Sequence, residues 1–232
     1  MHIHRLATVD STNLEAGRLI AAGERGPLWI IAAEQTSGKG RLGRHWVSKP
    51  GNLYSTLLWP TQAPASALSQ ISFVTAIAVH QAASAFAAPS AITLKWPNDC
   101  LLNGDKFCGI LAEVLAPGLA AIGIGVNIGH VPEDLPYKAA RLEHADVESV
   151  FEKLAASLSH WLEIWNDGTG FSTIKTAWEA RCSHIGSRVS VDGAAGIFEG
   201  LGPNGAMLLR SAKGESRLIY AGDVRVEYQT RP

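Results

Sequence analysis

Acidic residues are missing from one long stretch of this 232-residue chain: from Gln35 to Asn98, 64 positions, there is neither Asp nor Glu. At the density of the whole chain, about six would fall there. The same interval keeps Lys39, Arg41, Arg44, Lys49 and Lys95. An apolar interior with few surface positions accounts for part of this, but a segment that excludes carboxylates and retains cations also suits an anionic ligand. Other absences narrow the class. A net charge of −1 excludes a general attraction to nucleic acid or membrane, so any electrostatic function must be local. The three cysteines, Cys100, Cys108 and Cys182, form no C-x-x-C pair and no disulfide framework, as expected of reduced thiols in the cytoplasm. No apolar leader follows Met1, and no apolar run is long enough to span a bilayer. A composition of 47% apolar and 18% charged residues leaves a soluble globular protein with a substantial core.

The pattern along the chain predicts an α/β (α+β) architecture. Thr12-Asn13-Leu14-Glu15 reads as a capping box opening a helix over 12–22. The run LWIIAAE (28–34) and the segments 52–59, 91–96 and 119–129 read as strands, and the alanine-rich segment 66–87 as one long buried helix. Asn103-Gly104 between apolar stretches is a hairpin signal, because both residues tolerate positive φ. Further helices are expected over 146–166, with core aromatics, and over 171–182. From Gly186 the texture changes to SRVSV, GIFEGL, AMLLRS, SRLIY and VRVEY, separated by glycine turns. Five short strands predict a small β-barrel at 185–232, after a larger unit at 1–184.

The segment EQTSGKGRLGRHW (34–46) contains G-x-G-x-x-G at Gly38, Gly40 and Gly43. A dinucleotide fingerprint needs a helix directly after these glycines and an acid about twenty residues on. Here RHWVSKPG leads toward a strand and the acid is absent, so that reading fails; no P-loop sequence occurs either. A strand-to-strand loop remains, whose amides and guanidinium forks suit phosphate or carboxylate oxygens. A mobile hairpin with solvated cations and a short nucleic-acid patch are the other readings of the loop alone.

Six motifs in order then carry a resemblance: DSTN (10–13), EQTSGKGRLGRHW (34–46), NLYST (52–56), KWPND (95–99), KFCGIL (106–111) and GIGVNIG (123–129). Together they resemble the biotin protein ligases, from about Val9 onward. The resemblance implies a catalytic domain with a mixed sheet, related in fold to class II aminoacyl-tRNA synthetases and lipoate ligases, and a C-terminal SH3-like barrel. It implies an ATP-dependent ligase that activates biotin as biotinyl-5′-AMP and transfers it to a lysine of a biotin carboxyl carrier protein. With about ten residues before DSTN, it implies a form without the DNA-binding domain that some members carry. Two positions depart from the family: Lys39 stands where arginine is common, and Cys108 where a small apolar residue is usual.

Lys106 and Arg41 are the catalytic residues the resemblance implies. It assigns biotin to Ser11, Thr12, Gln35, Gly38, Lys39, Arg41, Tyr54, Thr56, Lys106, Gly109 and Gly123. It assigns ATP or the adenylate to Lys39, Arg41, Trp46, Asn98, Lys106 and Asn127. Asp99, beside Asn98, is the expected Mg²⁺ ligand, in the oxygen-and-water style of nucleotide metals. Ser11 and Thr12 also have the chemistry of helix caps. An exposed strand edge suits a homodimer or docking of the carrier domain. A lipoate ligase, or a non-catalytic module that senses biotin, is the alternative function.

Overall fold

The apolar run at Leu28 forms a strand covered on both faces, and the rest of the sheet grows around it. The computed structural model describes residues 2–132 and 135–226. In it β1 (His2–Val9) and β2 (Leu28–Gln35) lie parallel, connected through helix α1 (Thr12–Ala21). Strand β3 (Leu53–Pro60) returns antiparallel on β2. After helix α2 (Ile71–Ala83), β4 (Ile92–Lys95), β5 (Asp99–Leu102), β6 (Asp105–Ala116) and β7 (Leu119–Val126) form a meander. The sheet order is β1-β2-β3-β7-β6-β5-β4, a seven-stranded mixed sheet. Asn103 (φ 52°) and Gly104 (φ 88°) make the β5–β6 turn, as the Asn-Gly signal predicts.

Strand alternation sorts the core into two layers. Leu53, Leu57, Ile122 and Ile124 pack with α2, α3 (Val147–Trp165) and α4 (Phe171–Glu179). Leu58, Ile30 and Ala121 point the other way, onto Ala16 of α1. Helix α1 is short and covers only part of that second face. Beyond it the row Gly123, Gly125, Gly109 and Asp99 borders open space, and the cleft forms there.

The C-terminal strands β8 (Arg188–Val191), β9 (Ala194–Leu201), β10 (Met207–Arg210), β11 (Ser216–Ile219) and β12 (Val224–Val226) form a second, antiparallel sheet. The end of the expected strand VRVEY lies outside the described residues. Trp96 Nε1, just past β4, donates to the Gly205 carbonyl (2.9 Å), and the Leu201 amide to Glu179 of α4 (2.6 Å), fastening the second sheet to the larger unit.

Two expectations need correction, and one strand was not anticipated. The capping box does not form: Ser11 is the N-cap, without a side-chain cap bond, and Thr12 is the first helical residue. Glu15 instead accepts from Arg18 (2.6 Å), and Thr12 is drawn to Gln35. The segment 66–87 is not one helix but a 3₁₀ stretch (Ala65–Gln70) followed by α2. Gln70 at the junction bonds outward to Trp165 Nε1 (2.7 Å) and Asn204 (3.1 Å), and Ser84 Oγ donates to the His80 carbonyl (2.8 Å) where α2 ends. Strand β1 carried no sequence signal, because an edge strand with half its residues in water has no continuous apolar run.

Candidate active site

The glycine loop leaves β2 and folds back on itself before β3. Trp46 N–H donates to the Gly38 carbonyl (2.9 Å) and Gly40 N–H to that of Arg44 (2.7 Å). Gly38 is needed for this approach, since a Cβ there would lie 2.4 Å from the Trp46 carbonyl oxygen. The tip, Arg41–Gly43, is a 3₁₀ turn with Leu42 at φ 57° and 78% exposed. One side of the tip faces inward: Arg41 donates to Asn98 Oδ1 (3.2 Å). Burial lowers the Arg41 pKa, against the pull of Asp223 and Asp99, but a guanidinium stays charged. On the other side Arg44 pairs with Asp223, directly before β12 of the second sheet (2.9 Å).

Trp46 lies across the glycine floor. Cβ atoms on Gly125 and Gly109 would stand 2.6 Å and 3.0 Å from its ring. Its Nε1 is buried with no hydrogen-bond partner among the described residues, a donor free for a ligand. Lys106, just past the hairpin turn, places Nζ 5.4 Å from the Trp46 ring centre and 5.3 Å from that of Tyr137. The same ammonium pairs with Asp99 at 2.6 Å. The backbone holds it there: Lys106 N–H donates to the Lys138 carbonyl (3.1 Å) and Ala140 N–H to that of Lys106 (2.9 Å).

At the α1 end the polar side chains that line the cleft, Ser11, Thr12, Asn13 and Gln35, are uncharged, and most are tightly linked. Gln35 Oε1 accepts from the Thr12 amide (2.9 Å) and hydroxyl (3.2 Å), and Gln35 Nε2 donates to Ser48 (2.9 Å). Thr56 donates to Asn13 Oδ1 (2.6 Å) and stands 2.8 Å from Thr12 Oγ1; Asn13 donates to Glu113 (2.7 Å). The cleft between this end and Lys106 has a volume of about 1010 Å³, room for more than one small ligand. Its described lining holds seven lysines and arginines against three aspartates, so an anion is favoured.

Residues 6–128 match the biotin/lipoate A/B protein ligase family. Along nearly its whole length the chain is also similar to the biotin–[acetyl-CoA-carboxylase] ligase of Paracoccus denitrificans, at 39% identity over 94% of this chain and 98% of that one. The chain belongs to the biotin/lipoate A/B protein ligase family. A ligase of the same name from Mycobacterium tuberculosis is 30% identical over 94% of this chain and 86% of its own. Among solved structures, the biotin protein ligase of Aquifex aeolicus in complex with biotin and ATP superposes with a TM-score of 0.85, at 26% identity, covering 97% and 98% of the two chains.

Within this family fold, Ser11, Thr12, Gln35, Lys39, Arg41, Trp46, Asn98, Asp99, Lys106, Gly109 and Gly123 all border the one cleft. Four expected residues stand behind it. Gly38 shapes the loop. The Tyr54 hydroxyl donates to the Lys49 carbonyl (2.8 Å), and burial pushes its pKa up to about 12, so it remains a donor. Thr56 supports Thr12 and Asn13 from below. Asn127 donates to the Ala140 carbonyl (3.0 Å), fastening the 138–142 segment that holds Lys106. Asp99 is engaged by Lys106, and the described residues contain no group of three His, Cys, Asp or Glu able to hold a metal.

Sequence reasoning missed Asn13, Tyr137, His184 and Asp223 at this site. Asn13 had a signal, the last letter of DSTN, which its network now explains. The other three come from distant segments that only the fold brings in.

Proposed function

We infer that the chain is an ATP-dependent ligase that activates biotin as biotinyl-5′-AMP and transfers it to a lysine of a biotin carboxyl carrier protein. The observation that carries this is the 39% identity to a biotin–[acetyl-CoA-carboxylase] ligase across 98% of that protein. The cleft agrees with it: a neutral hydrogen-bonding end for an uncharged ring, and a cationic middle for a carboxylate and phosphates.

In the first half-reaction a biotin carboxylate oxygen bonds to the α-phosphorus of ATP, the bond to the bridging oxygen breaks, and pyrophosphate leaves. In the second, the acceptor lysine amine attacks the acyl carbon, AMP leaves with the bonding pair, and the amine loses its proton. Both steps crowd negative charge onto oxygens, so positioned cations contribute most. Lys106 supplies its ammonium at the reacting carboxylate and α-phosphate once it exchanges Asp99 for the ligand. Arg41, with Lys39 and the loop amides, contacts the phosphate and covers the adenylate. Ser11, Thr12 and Gln35 hydrogen-bond the ureido ring, and Gly109 and Gly123 leave room for it. Trp46 offers its unpartnered Nε1 and its ring face, and Asn98 holds Arg41 on the nucleotide side. Asp99 would be the carboxylate available to hold a magnesium ion arriving with ATP, which would neutralise phosphate charge.

Residues 1–184 form the catalytic unit, of the class II synthetase type, and 185–232 an SH3-like barrel; the separate strand order of the second sheet supports this division. The protein acts in the cytoplasm, in keeping with its free cysteines and with the lack, among the described residues, of any helix long and apolar enough to cross a membrane. Edge strand β1 offers its outer backbone to the carrier domain or to a second copy in a homodimer. Pyrophosphate release with biotin, but not with lipoate, tests the substrate; release with lipoate alone makes this a lipoate ligase. Biotin appearing on a co-incubated carrier domain tests transfer, and binding without transfer makes it a sensing module.

A further inference from the structure

His184 lies between α4 and β8 and borders the same cleft, yet it is only 6% exposed. Its segment is held against β4: Leu94 N–H donates to the Arg181 carbonyl (2.9 Å), and Leu94 bridges Cys182. Ser183 Oγ sits 2.9 Å from His184 Nδ1. With that hydroxyl donating to Nδ1, the ring proton resides on Nε2. Nε2 is buried and has no hydrogen-bond partner among the described residues. Burial, and then nearby Lys95, lower the imidazole pKa, so the ring is neutral near pH 7. A buried donor without an acceptor is rare in folded proteins, and one beside a ligand cleft calls for a ligand acceptor.

Which acceptor follows from the stereochemistry of the first half-reaction, so this inference rests on the ligase reading above. In-line displacement sets the attacking and leaving oxygens on opposite sides of the phosphorus. Biotin occupies the end at Gly123, Thr12 and Gln35, and its carboxylate meets the α-phosphate at Lys106 and Arg41. Gly109, Asp99 and Lys95 follow one another in register across β6, β5 and β4, stepping away from that end at about 4.8 Å per strand. The leaving group therefore extends toward β4. There Lys95 has no ion-pair partner among the described residues, and His184 presents Nε2.

We propose that His184 Nε2, together with Lys95, holds the two outer phosphates of ATP and the pyrophosphate that departs from them. Being neutral, the imidazole adds direction without a second full charge that would slow product release.

The test uses the full chain with ATP, inorganic pyrophosphate, biotin and preformed biotinyl-5′-AMP. His184→Ala is expected to raise KM for ATP and Kd for pyrophosphate about tenfold, the effect of one hydrogen bond to a charged group. KM for biotin and affinity for biotinyl-5′-AMP, which lacks the outer phosphates, should stay within about twofold. His184→Gln keeps an N–H near the position of Nε2 and should recover most of the loss. Equal weakening of ATP and biotinyl-5′-AMP would place the ring on the adenosine and overturn the proposal. Unchanged ATP and pyrophosphate binding would overturn it too, and so would loss of the fold in both variants on thermal melting, the mark of a structural imidazole. A wild-type chain without biotin-dependent exchange of pyrophosphate into ATP is a separate result, which overturns the ligase reading itself.

Discussion

Arg44 and Asp223, 179 residues apart in the chain, meet at 2.9 Å and tie the glycine loop to the C-terminal sheet. Both side chains are about half exposed, so the pair adds little to global stability. Its effect falls on the loop, because Arg44 Nε also donates to the Arg41 carbonyl (3.2 Å). Asp223→Ala is expected to leave the melting temperature unchanged and speed dissociation of biotinyl-5′-AMP by roughly twofold to fivefold, as for loss of one exposed ion pair. Stopped-flow release of the adenylate checks this, and a rate equal to wild type would show that the tether is idle.

Lys106→Ala should slow adenylate formation by roughly 10²-fold or more while the chain still folds, because its ammonium acts on charge that develops during reaction. Single-turnover rates decide it. Asp99→Asn, which releases Lys106 from its 2.6 Å partner, should be milder than Lys106→Ala. A larger loss in the asparagine variant would assign the chemistry to the carboxylate instead.

Arg41→Gly removes the inward-facing side of the loop and its bond to Asn98. The expected outcome is an enzyme that still makes biotinyl-5′-AMP but loses it to solution. Free adenylate in the filtrate, above the wild-type amount, is the measurement.

Two floor glycines should fail differently. A Cβ on Gly123 would lie 2.5 Å from Asn13 Oδ1, so Gly123→Ala strains the link between α1 and the sheet. A cost of about 1–3 kcal/mol in denaturant unfolding is expected, as for overpacking elsewhere. A Cβ on Gly125 meets the Trp46 ring, which borders the cleft rather than the core. Gly125→Ala should therefore shift the tryptophan fluorescence and weaken ligand binding, with a smaller loss of stability.

The Arg18 guanidinium holds the Asp10 carboxyl at about 2 rather than 3.8, with burial opposing and the Ser11 amide assisting. A depressed carboxylate pKa stabilises the fold above the unfolded value and loses that contribution as pH falls from 3.8 toward 2. Arg18→Ala should be slightly less stable than wild type at neutral pH, and the two should converge near the acid end. Denaturant midpoints measured against pH test this; a constant gap would assign the loss to packing.

Much of this fold was legible because its signals are local. The buried strand at Leu28, the Asn-Gly turn before Lys106 and the glycine texture after Gly186 each depend on neighbours in sequence. The outline of the site was legible too, since six motifs carry most of its lining. What escaped was set by tertiary partners. Thr12 has the chemistry of a cap, but Gln35 and Thr56 outbid the helix end for it. Tyr54 and Thr56 lie in a motif and share the cleft face of β3, yet other groups cover them: Thr56 is tied to Thr12 and Asn13, and the Tyr54 hydroxyl to the Lys49 carbonyl. No property of residues 180–226 alone shows that His184 and Asp223 face a cleft begun near Ser11.

That cleft draws its wall from Ser11 near one end of the described chain and from Val226 near the other. A chain emerging from the ribosome can form the first sheet and the glycine loop, but Arg44 waits for Asp223, 179 residues further on. Pairings of such sequence separation are slow to form, since a long loop must close before they stabilise anything. The wall of the cleft is therefore completed only after segments far apart in the chain have docked against one another.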